Sequence, residues 1–306
     1  MATLVVSSSE TIQPTRRRRW AIVLAFAVIY IAWGATFAAI RVAVGVIPPF
    51  LAAALRFLTA GVILYGFMRL RGVPRPTLRE WRSLALLGTL VIFLDYSAFF
   101  WGERYVASST AAIIAATISL ITGLLEMLVF RQRAFRWSAL TAIAVGFVGV
   151  GVLVSGQLKG GQPLLPSLAL VGGSVAWSLG MVLSRSIPLP SSRAVAAGAE
   201  MMIGGALLLL LSAAHGELGH IPHIGWRPAL AMIYLVFIGS LLAFTCFVWL
   251  LKHVSASRAA SHAFVNPVVA VALGAWMLGE PISRTAIAGM TLILVSVFCI
   301  LRFGSE

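Results

Sequence analysis

Five ionisable side chains, Arg56, Asp95, Glu126, Glu200 and His262, stand inside long apolar runs. An ionisable group held within a bilayer costs roughly 2.5–3.5 kcal/mol on insertion scales, so each is a functional candidate by default. At 1.5 Å per helical residue, Arg56 and Asp95 both lie roughly 9–12 Å from one membrane face, within reach of each other. Such a pair reads as a lock between helices, or as a gate or a grip on a zwitterion; a buried pair is weak evidence for net stability. Glu126 and Glu200 lie nearer the other face, where each could snorkel to the interface. Glu200 is grouped with Arg56 and Asp95 as a gating or structural charge. His262 precedes Asn266 and Pro267 by about one turn. Pro267 has no N–H and should free a carbonyl, making it a candidate hinge. Irregular polar backbone at membrane depth is tolerated where it lines a cavity. His262 is read as a substrate ligand, or a group titrating near neutrality; the rival reading is a histidine satisfied by a carbonyl.

Aromatic residues supply the other cue. Trp20, Trp81, Trp137 and Trp226 fall at the ends of apolar runs, where tryptophan anchors to the lipid–water boundary. Trp33 and Trp177 lie deeper. The candidate substrate contacts are Trp33, Thr36, Tyr96, Trp101, Ser119, Trp177, Tyr234, Phe244, His262 and Asn266. An aromatic-lined cavity with few fixed charges suits small zwitterions with varied side chains. A highly charged substrate requires more buried charge than this chain supplies.

These groups need a membrane scaffold to position them. The chain is 60% apolar and 10% charged, against about 25% charge in soluble domains. Ten apolar stretches reach the roughly 20 residues that a spanning helix needs: 20–40, 48–68, 81–101, 108–129, 136–155, 164–183, 194–213, 227–250, 257–278 and 284–303. The longest connections, 69–80 and 214–226, are too short for a soluble domain. The run 20–40 after Arg16–Arg19 is too long for a typical signal-peptide core and reads as a retained first span. With the N-terminus inside, 17 Lys and Arg fall on inside segments and 5 on outside ones. The positive-inside rule then places both termini in the cytoplasm of an inner or plasma membrane. The net charge of +14 sits in these topology signals, which argues against nucleic-acid binding. Cys246 and Cys299 read as small hydrophobes within helices. Interior glycines such as Gly146, Gly149, Gly151, Gly172, Gly173, Gly180, Gly204 and Gly205 let helix backbones approach closely in lipid.

An internal repeat is also visible. Trp33, Arg41 and Arg56 map onto Trp177, Arg185 and Glu200 with one offset of 144. Five spans per half make the second half enter the membrane from the opposite side, the inverted-topology signature of secondary transporters. The expected fold is all-α, ten helices as an inverted 5+5 repeat around a central cavity. Residues 1–19 form a cytoplasmic tail, 20–155 the first repeat and 164–303 the second.

The stretch Trp33-Gly34-Ala35-Thr36-Phe37 ending in Arg41, Leu55-Arg56-Phe57, and Asn266-Pro267-Val268-Val269-Ala270 leading to Leu278-Gly279-Glu280 resemble the drug/metabolite transporter superfamily. More narrowly, the chain resembles its EamA-type ten-helix members, which include bacterial amino-acid exporters. The resemblance covers about 20 to 303 and implies two EamA repeats, export of small metabolites and alternating access. Two departures matter. Ser119 stands where the fourth span would often carry proline, and the Gly279-Glu280 pair is replaced near Arg131-Gln132, so the first half is expected to be less kinked than the second. No acidic residue lies between Trp20 and Ile40, so the proton–cation chemistry of four-helix relatives does not carry over.

The leading reading is a secondary exporter of small metabolites, amino acids first, aromatic and apolar ones among them, with no cofactor and no metal. Its partners are the substrate and the bilayer; a coupling proton is left open. The alternatives are export of another metabolite or drug, or a membrane scaffold or enzyme. No metalloprotease, nucleophile-elbow or phosphate-loop motif occurs in the chain.

Overall fold

The computed structural model describes residues 16–130, 137–159, 164–219, 223–250, 253–254 and 262–303. Ten membrane-type helices follow in order among the described residues. They are α1 (Arg16–Val44), α2 (Pro49–Leu70), α3 (Leu78–Gly102), α4 (Ser108–Ala115 and Thr117–Phe130), α5 (Trp137–Lys159), α6 (Leu164–Leu183), α7 (Arg193–Ala214), α8 (Trp226–Leu250), α9 (His262–Leu278) and α10 (Arg284–Phe303). Seven helices are long and apolar enough to cross a membrane, and further apolar stretches, Thr141–Leu153, Val265–Leu278 and Arg284–Ser296, lie in α5, α9 and α10. No strand occurs among the described residues. The side chain of Glu126 and the expected first turns of α9 lie outside them.

Local chemistry sets the boundaries. α3 begins three residues before the expected Trp81 because Thr77 and Glu80 form a capping box. Glu80 accepts from the Thr77 N–H at 2.6 Å, and the Thr77 hydroxyl accepts from the Glu80 N–H at 3.3 Å. At the far end of α9, Gly279 takes φ +65, a conformation that glycine adopts without steric cost. This turn lets Glu280 fold back onto the start of α4.

The two halves repeat each other in space. α2 packs on α7 and α5 on α10, pairing helices that occupy the same place in each repeat. α1 packs on α8 and α9, while α6 packs on α3 and α4. Small residues carry the paired seams. A Cβ on Gly149 would lie 2.9 Å from the Gly289 carbonyl oxygen, and one on Gly289 would lie 2.8 Å from that of Gly149. Gly151 and Gly172 depart from the expected role, since a Cβ on either meets nothing within 4 Å.

Two features of the backbone were not read from the sequence. α3 and α8 each contain a π-helical segment, Gly88–Leu94 and Tyr234–Leu242, at matching places in the two repeats. Such wide turns interrupt regular carbonyl pairing and recur at functional sites. The second feature is a break in α4 at Ala116, whereas the described part of α9 runs as one helix through Pro267. A hydroxyl does in α4 what proline was expected to do: Thr117 Oγ1 donates to the Ile114 carbonyl at 2.6 Å. Ser178 of α6 donates to the Ile118 carbonyl at 3.2 Å, tying down the turn after the break.

Candidate functional site

The polar and aromatic groups of both repeats meet along one line through the bundle. On one side, the Trp33 Nε1–H of α1 donates to the Gly239 carbonyl in the π-helical segment of α8 at 3.1 Å. The Tyr234 hydroxyl and the Thr36 hydroxyl both donate to the Ala32 carbonyl, each at 2.9 Å. The His262 ring sits edge-on to Trp33, with centroids 4.6 Å apart, and Phe247 closes the group at 5.8 Å from His262. Asn266 Nδ2 lies 3.4 Å from His262 Nδ1, while Asn266 Oδ1 is buried with no hydrogen-bond partner. The helical repeat of α9 makes this possible, since residues four apart share a face.

One residue along α8, Ser240 links this group to Arg56. Arg56 Nε donates to Ser240 Oγ at 3.0 Å. The guanidinium carbon lies 4.8 Å from the Phe57 ring centroid and 5.2 Å from that of Tyr96, geometry suited to cation–π attraction. Tyr96 in turn meets Trp177 of α6 at 6.1 Å. The line therefore runs Trp177, Tyr96, Arg56, Ser240, Trp33, His262, Asn266 and draws on six helices of both repeats. Arg56 is 2% exposed, and its NH1 has no partner.

The direct pair expected between Arg56 and Asp95 is not formed. Asp95 Oδ1 has no hydrogen-bond partner and is turned toward α6, where it lies 3.1 Å from the place a Cβ on Gly173 would take. Arg56 instead commits its Nε to Ser240. Other expected contacts stand apart from the line. Trp101 pairs with Tyr105 at 5.3 Å and borders an open groove with Phe50, Leu94 and Gly172. Ser119 is half-buried just past the α4 break and Phe244 is half-buried on α8, where it is Phe247 that meets His262. Glu200 lies on α7, where its carbonyl oxygen is 2.9 Å from the place a Cβ on Gly88 would take.

Sequence reasoning missed Ser240, Gly239, Phe247 and, above all, Glu103. Glu103 follows the last residue of α3 and is 0% exposed. Burial, with Glu280 beside it, pushes its carboxyl well above the usual carboxylate range. Its position at a span end gave no signal that it was enclosed. Among the described residues no group of three or more His, Cys, Asp or Glu is placed to hold a metal ion.

Ten helices in two repeats, with polar groups gathered where the repeats meet, are the architecture of a membrane transporter. The model of the EamA-like transporter family matches residues 19–155 and again 164–302, and the chain belongs to that family. The chain is 35% identical over 272 residues to the "Uncharacterized inner membrane transporter YedA" of Escherichia coli, covering 88% of this chain and 87% of that protein. It is 26% identical to the "Probable amino-acid metabolite efflux pump" of Salmonella typhimurium, covering 88% of this chain and 91% of the relative. A protein of known crystal structure superposes with a TM-score of 0.62 at 20% identity, over 94% of this chain and 99% of that one, a likeness of fold.

Proposed function

We propose that this transporter exports small zwitterionic metabolites, amino acids first among them, from a site centred on Arg56. The observation that carries the reading is a buried guanidinium with a free NH1, held against the adjoining rings of Phe57 and Tyr96 at the meeting of the repeats. A guanidinium is a rigid, permanently charged donor suited to a carboxylate. Tyr96 and Trp177 on one side, and Trp33 and His262 on the other, offer apolar faces to a range of side chains. The free Oδ1 of Asp95 supplies an acceptor for an ammonium group once α3 and α6 shift. The relative named as an amino-acid metabolite efflux pump supports the same substrate class.

The two repeats, 20–155 and 164–303, rock against each other in this reading, with Pro267 and the α4 break as bending points. Both termini face the cytoplasm, as the Lys and Arg distribution favours. Arg56 and Asp95 are nearly shut off from solvent, at 2% and 3% exposure, which fits an occluded state of the cycle.

Proteoliposomes loaded with a mixture of amino acids test the proposal. Protein-dependent loss of amino acids, reduced by Arg56→Gln, Trp177→Ala and His262→Ala with folded protein retained, is the expected result. No loss of any amino acid, with or without a pH gradient, would move the assignment to another class of metabolite.

A further inference from the structure

Three oxygens near one end of the bundle are buried without a hydrogen-bond partner: both carboxylate oxygens of Glu103 and the hydroxyl of Ser108. Glu103 stands one residue beyond the span Leu78–Gly102. Its charged neighbours among the described residues are all accounted for. From α1, Arg41 donates to the backbone carbonyl of Glu103. From the α9–α10 link, Glu280 faces it, but the Glu280 oxygens accept from the Ser108 N–H at 2.7 Å, the Ser109 N–H at 3.1 Å and the Ser109 hydroxyl at 2.9 Å. From α2, Arg56 lies within electrostatic reach, with its Nε committed to Ser240. α6 brings Leu170 and the Pro166 carbonyl against the adjacent Gly102. Arg104 and Tyr105, on the same turn as Glu103, are exposed.

The two acids therefore differ in kind. Glu280 caps the start of α4, where free N–H groups and the helix dipole favour a negative charge. Glu103 has no donor for either oxygen. Ionised in this packing it would be an unpaired buried charge beside a second carboxylate, which costs several kcal/mol. The packing accepts the neutral acid.

We propose that Glu103 is the proton-binding group of the transport cycle: this end of the bundle closes with one proton on the Glu103 carboxyl and opens as that proton passes to water. Closing converts the carboxylate and one proton from water on that side into the acid; no other bond changes. The closed form binds more protons than the open form, so it is favoured at low pH and lost as pH rises through the raised range of Glu103. Once ionised, Glu103 competes with a substrate carboxylate for Arg56, which links proton release to substrate release. The inference rests on the exporter reading in that the end that moves is taken as a gate of that site.

The test uses the purified full chain in liposomes without substrate, with Cys246 and Cys299 replaced by alanine. Spin labels are placed at Tyr105→Cys and Ile282→Cys, which are 43% and 51% exposed. Pulsed electron–electron distances are measured from pH 5 to pH 9. The expected result is a near population at low pH that gives way to a far one, the ratio changing about tenfold per pH unit past the midpoint. Glu103→Gln should hold the near population at every pH. Glu280→Gln should keep the response with a lower midpoint, because a like charge has gone. A pH response unchanged in Glu103→Gln, or none in the native chain, overturns the proposal. A response to sodium at fixed pH in place of the proton response also overturns it, in favour of a metal-cation site. The measurement needs no amino acid, so failure of amino-acid efflux and failure of this proposal are read separately.

Discussion

Replacing Gly34 by alanine should force α1 away from α9 at the centre of the site. A Cβ at Gly34 would lie 2.5 Å from Val269 Cβ, 2.7 Å from Val269 Cγ1 and 3.4 Å from the Asn266 carbonyl oxygen. Ordinary contact begins at 3.4 Å, so one helix must move by about 1 Å. Val269 Cβ is fixed to its backbone and cannot swing aside, and overpacking of this kind costs about 1–3 kcal/mol. Gly66 is the control, since a Cβ there meets nothing within 4 Å and alanine gains roughly 1 kcal/mol of helix propensity. That propensity gain is common to both helix-interior positions, so the two alanine variants should differ by the overpacking cost, about 1–3 kcal/mol. The assay is reversible unfolding of the purified chain in mixed micelles, followed by tryptophan fluorescence. Val269→Gly should rescue Gly34→Ala, whereas Val269→Ala keeps the clashing Cβ and should not. Equal stability of Gly34→Ala and Gly66→Ala, or equal rescue by both Val269 variants, would refute the reasoning.

Trp33→Phe keeps the ring but loses the bond to the Gly239 carbonyl; leaving that carbonyl unpaired should cost about 1–3 kcal/mol, read in the same unfolding assay. Glu280→Ala removes the acceptor for three donors at the start of α4 and should destabilise by about 1–2 kcal/mol. Glu217→Ala should act alike, since Glu217 accepts from the Leu51 N–H at 2.8 Å at the start of α2. Gly149→Ala should weaken the α5–α10 seam where Gly151→Ala does not, as a comparison of their melting temperatures would show.

The periodic and compositional features of the fold were legible. Apolar length marked the spans, and the offset linking Trp33, Arg41 and Arg56 to Trp177, Arg185 and Glu200 exposed the repeat. The neighbourhood of His262 and Asn266 was legible from helical spacing, whereas the approach of Trp33 to them was not. The π-helical segments in α3 and α8 did not follow, because a shift from i−4 to i−5 pairing needs no special residue type. The α4 break was not foreseen, because Thr117, which captures a carbonyl there, looks from sequence like any polar residue in a helix. Arg56 and Asp95 were expected to pair on the ground of shared depth, yet depth says nothing about rotation, and their side chains face different neighbours. Glu103 was passed over because hydropathy treats an acid at a span end as solvated, and only the packing of α1, α4 and the α9–α10 link shows otherwise.

The most direct test of the central claim, that Arg56 holds a substrate carboxylate, is equilibrium binding of phenylalanine and of its decarboxylated amine to the purified transporter, native and Arg56→Gln. A charge-assisted bond is worth about 1.5–3 kcal/mol, so the native protein should bind phenylalanine at least about tenfold more tightly than the amine. Arg56→Gln should lose that preference while remaining folded. Equal affinity for both ligands in the native protein, or a preference that survives Arg56→Gln, would contradict the account.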